Sequence, residues 1–284
     1  MKTIAKKQSC PSSASAEKKS SDIMFEVAGE KASPMTSLPW GAAGGGPGQG
    51  WPIDALDEPV IITEVEPPAK VQEAVLKFQN QIEGSTLRDK PEGRAELPLK
   101  KADADDLKDY FAKFMKTNSV LVCPRMPKET EPSTYGCRGG VEMCSYERGR
   151  SAMIRWQMTG TRQLVACSTN DLKTFMRKKT GIHNPKPEDL RKYFSTMSKE
   201  NITQFINDGK VYYATIGEKT CVIMPFDTIW YERVAAGVDV SGCRLAFFLK
   251  SDAAHVTATN KWLISCELPS PILQHAVEEY SKLD

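Results

Sequence analysis

The sequence predicts an α+β fold, and three observations lead to it. Between Ser119 and Leu249 the chain carries a series of short runs that are apolar at alternate positions or apolar throughout, the pattern of strands buried on one face or on both. A stretch with helical spacing, from about 170 to 208, divides these strands into two sets. Amphipathic helices precede the first set, and one more closes the chain.

Residues 1–52 are rich in Ser, Lys, Ala, Gly and Pro, and end in a Gly-rich run between Trp40 and Trp51. Such a composition offers too little apolar surface to offset the loss of chain entropy, so a disordered tail or linker is expected. The glycines do not make a phosphate loop, because no strand precedes them and no Gly-Lys-Ser/Thr follows. Trp40 and Trp51 either dock a partner or pack back onto the domain.

Residues 53–118 read as a helical N-terminal support. After Pro67 and Pro68, the apolar residues Val71, Val75, Phe78 and Ile82 recur at helical spacing, and Gly84 supplies a stop. A second helix over Asp103 to Lys116 places Leu107, Tyr110, Phe111, Phe114 and Met115 on one face.

Residues 119–284 form the main domain. Strands are expected at Val120–Cys123, Val141–Tyr146, Ala152–Met158 and Gln163–Ser168. Helices follow at Asp171–Lys179, Asp189–Met197 and from Ser198, a good N-cap residue, to Asn207. Strands resume at Lys210–Ile216, Thr220–Met224, Thr228–Val234, Ser241–Leu249 and His255–Cys266. The last helix starts at the Ser270 cap with Pro271 in its first turn, and Ile272, Leu273, Ala276, Val277 and Tyr280 share one face. That face packs on the strands or forms a homodimer through the C-terminal helix.

A net charge of +2 makes no electrostatic case for nucleic acid. No apolar run reaches the length of a membrane span. The start, Met1 to Cys10, is basic but lacks the apolar stretch of a secretory signal, so a cytoplasmic or nuclear protein is expected. Among the eight cysteines, Cys123, Cys167, Cys221, Cys243 and Cys266 sit among apolar residues and read as buried thiols. Cys137 and Cys144 flank a Gly-rich turn, but no Cys-x-x-Cys pair exists, and His183, His255 and His275 are too scattered to complete a zinc site. Lys173, Arg177, Lys178, Lys179, Lys186, Arg191 and Lys192 are interleaved with Asp171, Glu188 and Asp189, which reads as a solvated helix face before it reads as a phosphate-binding patch.

Two stretches carry a resemblance. Trp156-Gln157-Met158-Thr159-Gly160-Thr161-Arg162, followed by Leu164, Val165 and Ala166, is similar to the Gln and Gly-x-Lys/Arg segment of the JmjC-like and cupin-like double-stranded β-helix family. Gly217 to Trp230, with Pro225, resembles that family's later motif. Active members are iron(II) and 2-oxoglutarate oxygenases with two His and one carboxylate on the metal. At the family's spacing the first ligand position falls on Glu147, the carboxylate position on Gly149 and the final His position on Trp230. Gly149 has no side chain and the Trp230 indole has no acceptor lone pair, so the resemblance implies a degenerate site without metal. Arg162 stands where the family holds the 2-oxoglutarate carboxylate and is a possible anion-binding or 2-oxoglutarate-binding residue.

The resemblance therefore implies a distorted double-stranded β-helix with flanking helices, an inserted helical segment and a disordered N-terminal tail. The leading expectation is a non-catalytic, metal-free module that binds a protein or small ligand in a former active-site cavity, with no cofactor. One alternative is a divergent oxygenase using Fe(II) and 2-oxoglutarate, with His255 or His183 as a misaligned ligand. The other is a nucleic-acid-associated module working through the basic helical patch.

Overall fold

The computed structural model describes residues 19–39, 56–84, 93–114, 120–121, 132–145, 151–209 and 211–283. The chain begins with α1 (Ser20–Lys31), β1 (Ser33–Pro34), β2 (Thr36–Pro39), β3 (Val60–Thr63), α2 (Ala69–Gly84), β4 (Arg94–Pro98), α3 (Lys101–Phe114) and the two-residue β5 (Val120–Leu121). Four strands follow: β6 (Ser133–Cys137), β7 (Glu142–Ser145), β8 (Ala152–Thr159) and β9 (Arg162–Ser168). Helices α4 (Thr169–Thr180), α5 (Pro187–Ser195) and α6 (Lys199–Asp208) then lead to β10 (Val211–Ile216), β11 (Thr220–Met224), β12 (Thr228–Val234) and β13 (Val240–Leu249). A 3-10 turn at Lys250–Asp252 joins β13 to α7 (Ala253–Ser265), and α8 (Pro271–Tyr280) closes the chain.

The architecture is mixed α+β with two sheets. One has the order β1-β10-β9-β12-β7, and the other runs β2-β3-β11-β8-β13-β6-β4 with β5 beside the end of β13. The pairings among β6 to β13 are antiparallel. From β6 to β9 the chain changes sheet at every step, and it does so again from β10 to β13.

Three apolar layers explain why the central strands are apolar on both faces. Between the sheets, Met153, Val222 and Met224 of one meet Leu164, Ala166, Tyr212 and Trp230 of the other. Outside the larger sheet, Ile154, Trp156, Ile223, Leu245 and Phe247 pack against Val71 and Val75 of α2 and Leu107 and Phe111 of α3. Outside the smaller sheet, Val165, Cys167, Ile229 and Tyr231 pack against α1, α4, α5 and α6. Burying one such Leu, Ile or Phe side chain contributes about 1.5 to 3 kcal/mol, so the alternation within β8 alone ties it to both neighbouring layers.

Local signals set the helix ends. Ser168 Oγ accepts from the Asp171 backbone N–H at 3.1 Å to start α4, which Gly181 ends in the left-handed region at φ 74°. Ser198 caps α6 in the same way, and Ser270 with Pro271 starts α8. The inward face of α8, Ile272, Leu273, Ala276 and Tyr280, meets Phe226, Phe248, Val256 and Leu263 within the same chain. The face expected to pack on the strands or on a second copy is therefore covered intramolecularly.

Two expectations differ from the structure. Residues 20–39 lie inside the 1–52 segment whose composition predicts a tail, yet α1 buries Met24, Phe25, Val27 and Ala28 against the smaller sheet and its helices, while β1 pairs with β10 and β2 with β3. A helix can contribute to a core through four apolar side chains even when its average composition is polar. Trp40 and Trp51 lie outside the described residues. In the 53–118 segment, β3 and β4 join the larger sheet through β11 and β6, beside the expected helices α2 and α3. The second difference is His255–Cys266, expected as a strand, which forms α7. Its buried residues Val256, Thr259, Asn260 and Leu263 follow helical spacing, and packing against α8 outweighs the strand preference of its Val, Thr and Ile residues.

Phe25 is 4% exposed, stacks at a ring-centroid distance of 5.7 Å from Tyr231 and lies under the Arg233 guanidinium. Phe25→Ala is expected to lower the unfolding free energy by about 3 to 5 kcal/mol, as for other buried Phe truncations, measured by urea denaturation. Removal of residues 1–31, which takes α1 away, should cost at least as much.

Candidate functional site

The inner faces of the two sheets carry charge where the surrounding runs are apolar. In β8 the side chains of Met153, Arg155 and Gln157 alternate with the outward Ile154 and Trp156. Arg155 is 7% exposed, Arg162 at the start of β9 is 1% exposed and Glu232 in β12 is 1% exposed. Both guanidiniums converge on one atom: Arg155 Nη1 donates to Glu232 Oε2 at 2.9 Å and Arg162 Nη1 donates to the same oxygen at 3.3 Å. Arg155 comes from the larger sheet, and Arg162 and Glu232 from the smaller one, so the ion cluster bridges the sandwich.

Tyr135 of β6 forms the floor of this cluster. Its ring centroid lies 4.5 Å from the Arg155 guanidinium and 5.5 Å from that of Arg162, within cation–π range. The phenol donates to the Trp156 carbonyl at 3.1 Å. Gly242 makes room for it, because a Cβ there would lie 1.9 Å from that carbonyl and 2.7 Å from the phenol oxygen. The turn that delivers Arg162 is held by Gln157, whose Nε2 donates to the Gly160 carbonyl at 2.7 Å and to the Ile216 carbonyl at 3.0 Å. Gly160 itself has φ 73°, and a Cβ would lie 2.3 Å from the Asp239 carbonyl.

Among the described residues two cations contact this anion, so these three side chains carry one excess positive charge. Burial alone would push the Glu232 carboxyl up, but the neighbouring Arg155 and Arg162 charges outweigh it and hold it below the usual carboxylate range. Burial pulls the Arg155 value down, and Glu232 overcomes this and raises it. Burial raises the Tyr135 phenol and pushes the Cys137 thiol up to about 11, so both stay protonated and neutral at physiological pH. Arg155 Nε and both Nε and Nη2 of Arg162 are buried without a hydrogen-bond partner among the described residues.

The predicted site residues are placed as follows. Arg162, expected as an anion-binding or 2-oxoglutarate-binding residue, is buried and engaged by Glu232. Trp230 lies in the layer between the sheets with Met153, Leu164 and Met224, and is 7% exposed. Its Nε1 has no partner among the described residues. Trp230 and Glu232 alternate on the same face of β12, so Trp230 and Arg162 address one interior from adjacent strands. Glu147 and Gly149 lie outside the described residues; β7 ends just before them at Ser145, which pairs with Trp230.

A second charged group lies at the other end of β12. His255 Nε2 is 3.2 Å from Oδ2 of the buried Asp227, in the turn that starts β12, and its ring meets Phe226 edge-on. The hydrogen bond to Asp227 raises the His255 value, and burial pushes the nearby Asp252 carboxyl up to about 6. Five strand steps separate Asp227 from Glu232, about 17 Å of extended chain, so this pair and the arginine cluster are distinct. His183 is exposed in the loop after α4. Among the described residues no three His, Cys, Asp or Glu side chains converge as a metal site.

Three residues of the basic helix face make local contacts. Lys173 lies over the Trp262 ring, Lys178 is 3.9 Å from Asp208, and Lys179 donates to Gln204. Elsewhere a shallow surface hollow of about 680 Å³ is lined by Thr63, Glu64, Glu66, Glu218, Lys219 and Thr220, and none of the predicted site residues lines it.

Sequence reasoning missed Arg155, Glu232 and Tyr135. The signal was present: Arg155 and Glu232 each interrupt an apolar strand, and a charge in a strand buried on both faces must find a partner. Nothing in the sequence says which charges meet, because Arg155 and Glu232 are separated by the whole helical segment.

Neither the models of known protein families nor the curated proteins contain a match to the sequence. Among the described residues no helix is long and apolar enough to cross a membrane.

The charge arithmetic orders three substitutions. Glu232→Gln leaves two buried guanidiniums without a counter-ion and should be the most destabilising, by about 3 to 5 kcal/mol. Arg155→Met and Arg162→Met each leave a neutral Arg–Glu232 pair and should cost less, Arg162→Met the least because its contact is the longer one. Urea unfolding of the three variants checks the order.

The Asp252 and His255 values fix a pH dependence. Both groups bind their proton more tightly in the folded state, so each lowers stability as pH rises. The Asp252 contribution falls between its unfolded value near 4 and about 6. The His255 contribution is fully present below about 6.5 and is lost as pH rises through the higher folded value. Urea midpoints across this range should flatten in the lower part for Asp252→Asn and in the upper part for His255→Gln.

Proposed function

We propose that this chain is a metal-free double-stranded β-helix module of the JmjC-like and cupin-like kind, and that it acts by binding a protein or small ligand rather than by oxidising one. The strand order is the observation that carries this reading. Strands β6, β7, β8 and β9 alternate between the sheets, and β10 to β13 alternate again after the α4–α6 insert. Each strand of the second set lies antiparallel beside strands of the first: β13 between β6 and β8, β12 between β7 and β9, β11 beside β8 and β10 beside β9. Within the two sheets these eight strands form two interleaved sets of four, and that winding supports the reading.

The chemistry of the interior favours binding over oxidation. Trp230 stands at the position of a metal-binding imidazole, and its indole nitrogen is a donor without an acceptor lone pair. It is packed among Met153, Leu164 and Met224. Arg162 stands at the position that would hold a co-substrate carboxylate, and Glu232 already occupies its Nη1. With the interior engaged by the chain's own side chains, the partner meets the outside of the sandwich.

The oxygenase alternative draws on the His255–Asp227 pair, an imidazole in contact with a carboxylate at the start of β12. That pair is on the order of 15 Å along β12 from the arginine cluster, too far for one small co-substrate to reach both a metal held there and Arg162. Metal analysis of the purified protein together with a succinate-release assay on 2-oxoglutarate tests the proposal. Substoichiometric iron and no succinate are expected. One equivalent of iron with turnover that His255→Ala abolishes would replace this reading with the oxygenase.

A further inference from the structure

We infer that the interior of this protein contains a carboxylate-binding site that the chain fills in cis with Glu232, so that removing this side chain exposes a site for a small monocarboxylate. Two guanidiniums from opposite sheets aim at a single oxygen, Glu232 Oε2, at 2.9 and 3.3 Å. Planar N–H donors of this kind match a carboxylate, and arginine cannot relieve its burial by losing a proton. The Tyr135 ring beneath both guanidiniums adds an electron-rich face and no formal charge.

The site is full as it stands. Nε and Nη2 of Arg162 and Nε of Arg155 are without partners among the described residues and out of contact with solvent, so no water-sized space adjoins them. Truncating Glu232 beyond Cβ vacates the volume of an acetate-sized group and leaves two charges facing it. Formate and acetate match the planar shape of the vacated carboxylate, which a spherical chloride does not, so the site selects them over halides.

The inference rests on the closed-interior reading, but its test concerns anion binding in a variant, not metal or turnover, so either can fail alone. The experiment uses the full chain carrying Glu232→Ala, with thermal unfolding measured against formate, acetate and sodium chloride at matched ionic strength. Formate and acetate should raise the unfolding midpoint of the variant saturably and by several degrees. Chloride should do so weakly, and the wild type should not respond. The double variant Arg155→Met with Glu232→Ala should lose the response, which separates a built site from general salt stabilisation. If Glu232→Ala is recovered unfolded, refolding from urea with and without formate gives the readout, and a higher yield of folded protein in formate is expected. An equal response of wild type and variant, a response that survives Arg155→Met, or refolding that formate does not improve would overturn the inference.

Discussion

Glu232 receives one guanidinium from each sheet, and the packing of the two sheets is organised around that bridge. A buried carboxylate is tolerable only with charged donors on it, so the inner ends of β8, β9 and β12 must stay in register for Arg155 and Arg162 to reach the same oxygen. The supporting details follow from this need. Gly242 leaves the space that Tyr135 occupies, and Gln157 holds the turn through which Arg162 enters β9. One excess positive charge remains, the kind of local cost that natural folds carry where they also gain specificity or function.

The outer layers use less demanding physics. On the larger sheet, α2 and α3 cover a row of aliphatic and aromatic side chains, and on the smaller sheet α1 and the inserted α4–α6 segment do the same. Covering both faces explains the nearly continuous apolar runs of β8, β11 and β12. It also explains why a helix from a polar N-terminal segment belongs to the core: without α1, the Tyr231 ring would lose the cover that Phe25 gives it. At the far side, α7 and α8 close over Phe226 and Phe248, and the His255–Asp227 contact joins this pair to the β11–β12 turn.

Placing Trp230 and Arg162 in one interior connects the two sequence stretches that carry the resemblance. An indole within the apolar layer and an arginine already paired with Glu232 show this part of the interior held by the chain's own side chains. The inward positions around Trp230 are taken by Met153, Leu164 and Met224.

Much of the architecture was legible from periodicity, and particular residues show why. The strands at 152–159, 162–168, 211–216, 220–224 and 228–234 announce themselves because local apolar patterning and flanking turn residues act over a few positions. Ser168, Ser198 and Ser270 announce three helix starts for the same reason. The sequence by itself determined the mixed α and β composition and the helical insert between two strand sets. Tertiary structure alone decided that α7 is a helix, that α1 is core and that Arg162 is buried. These outcomes depend on α8, on Tyr231 and on Glu232, residues far away in the chain, and the free energy of such contacts exceeds the local preferences that a sequence displays.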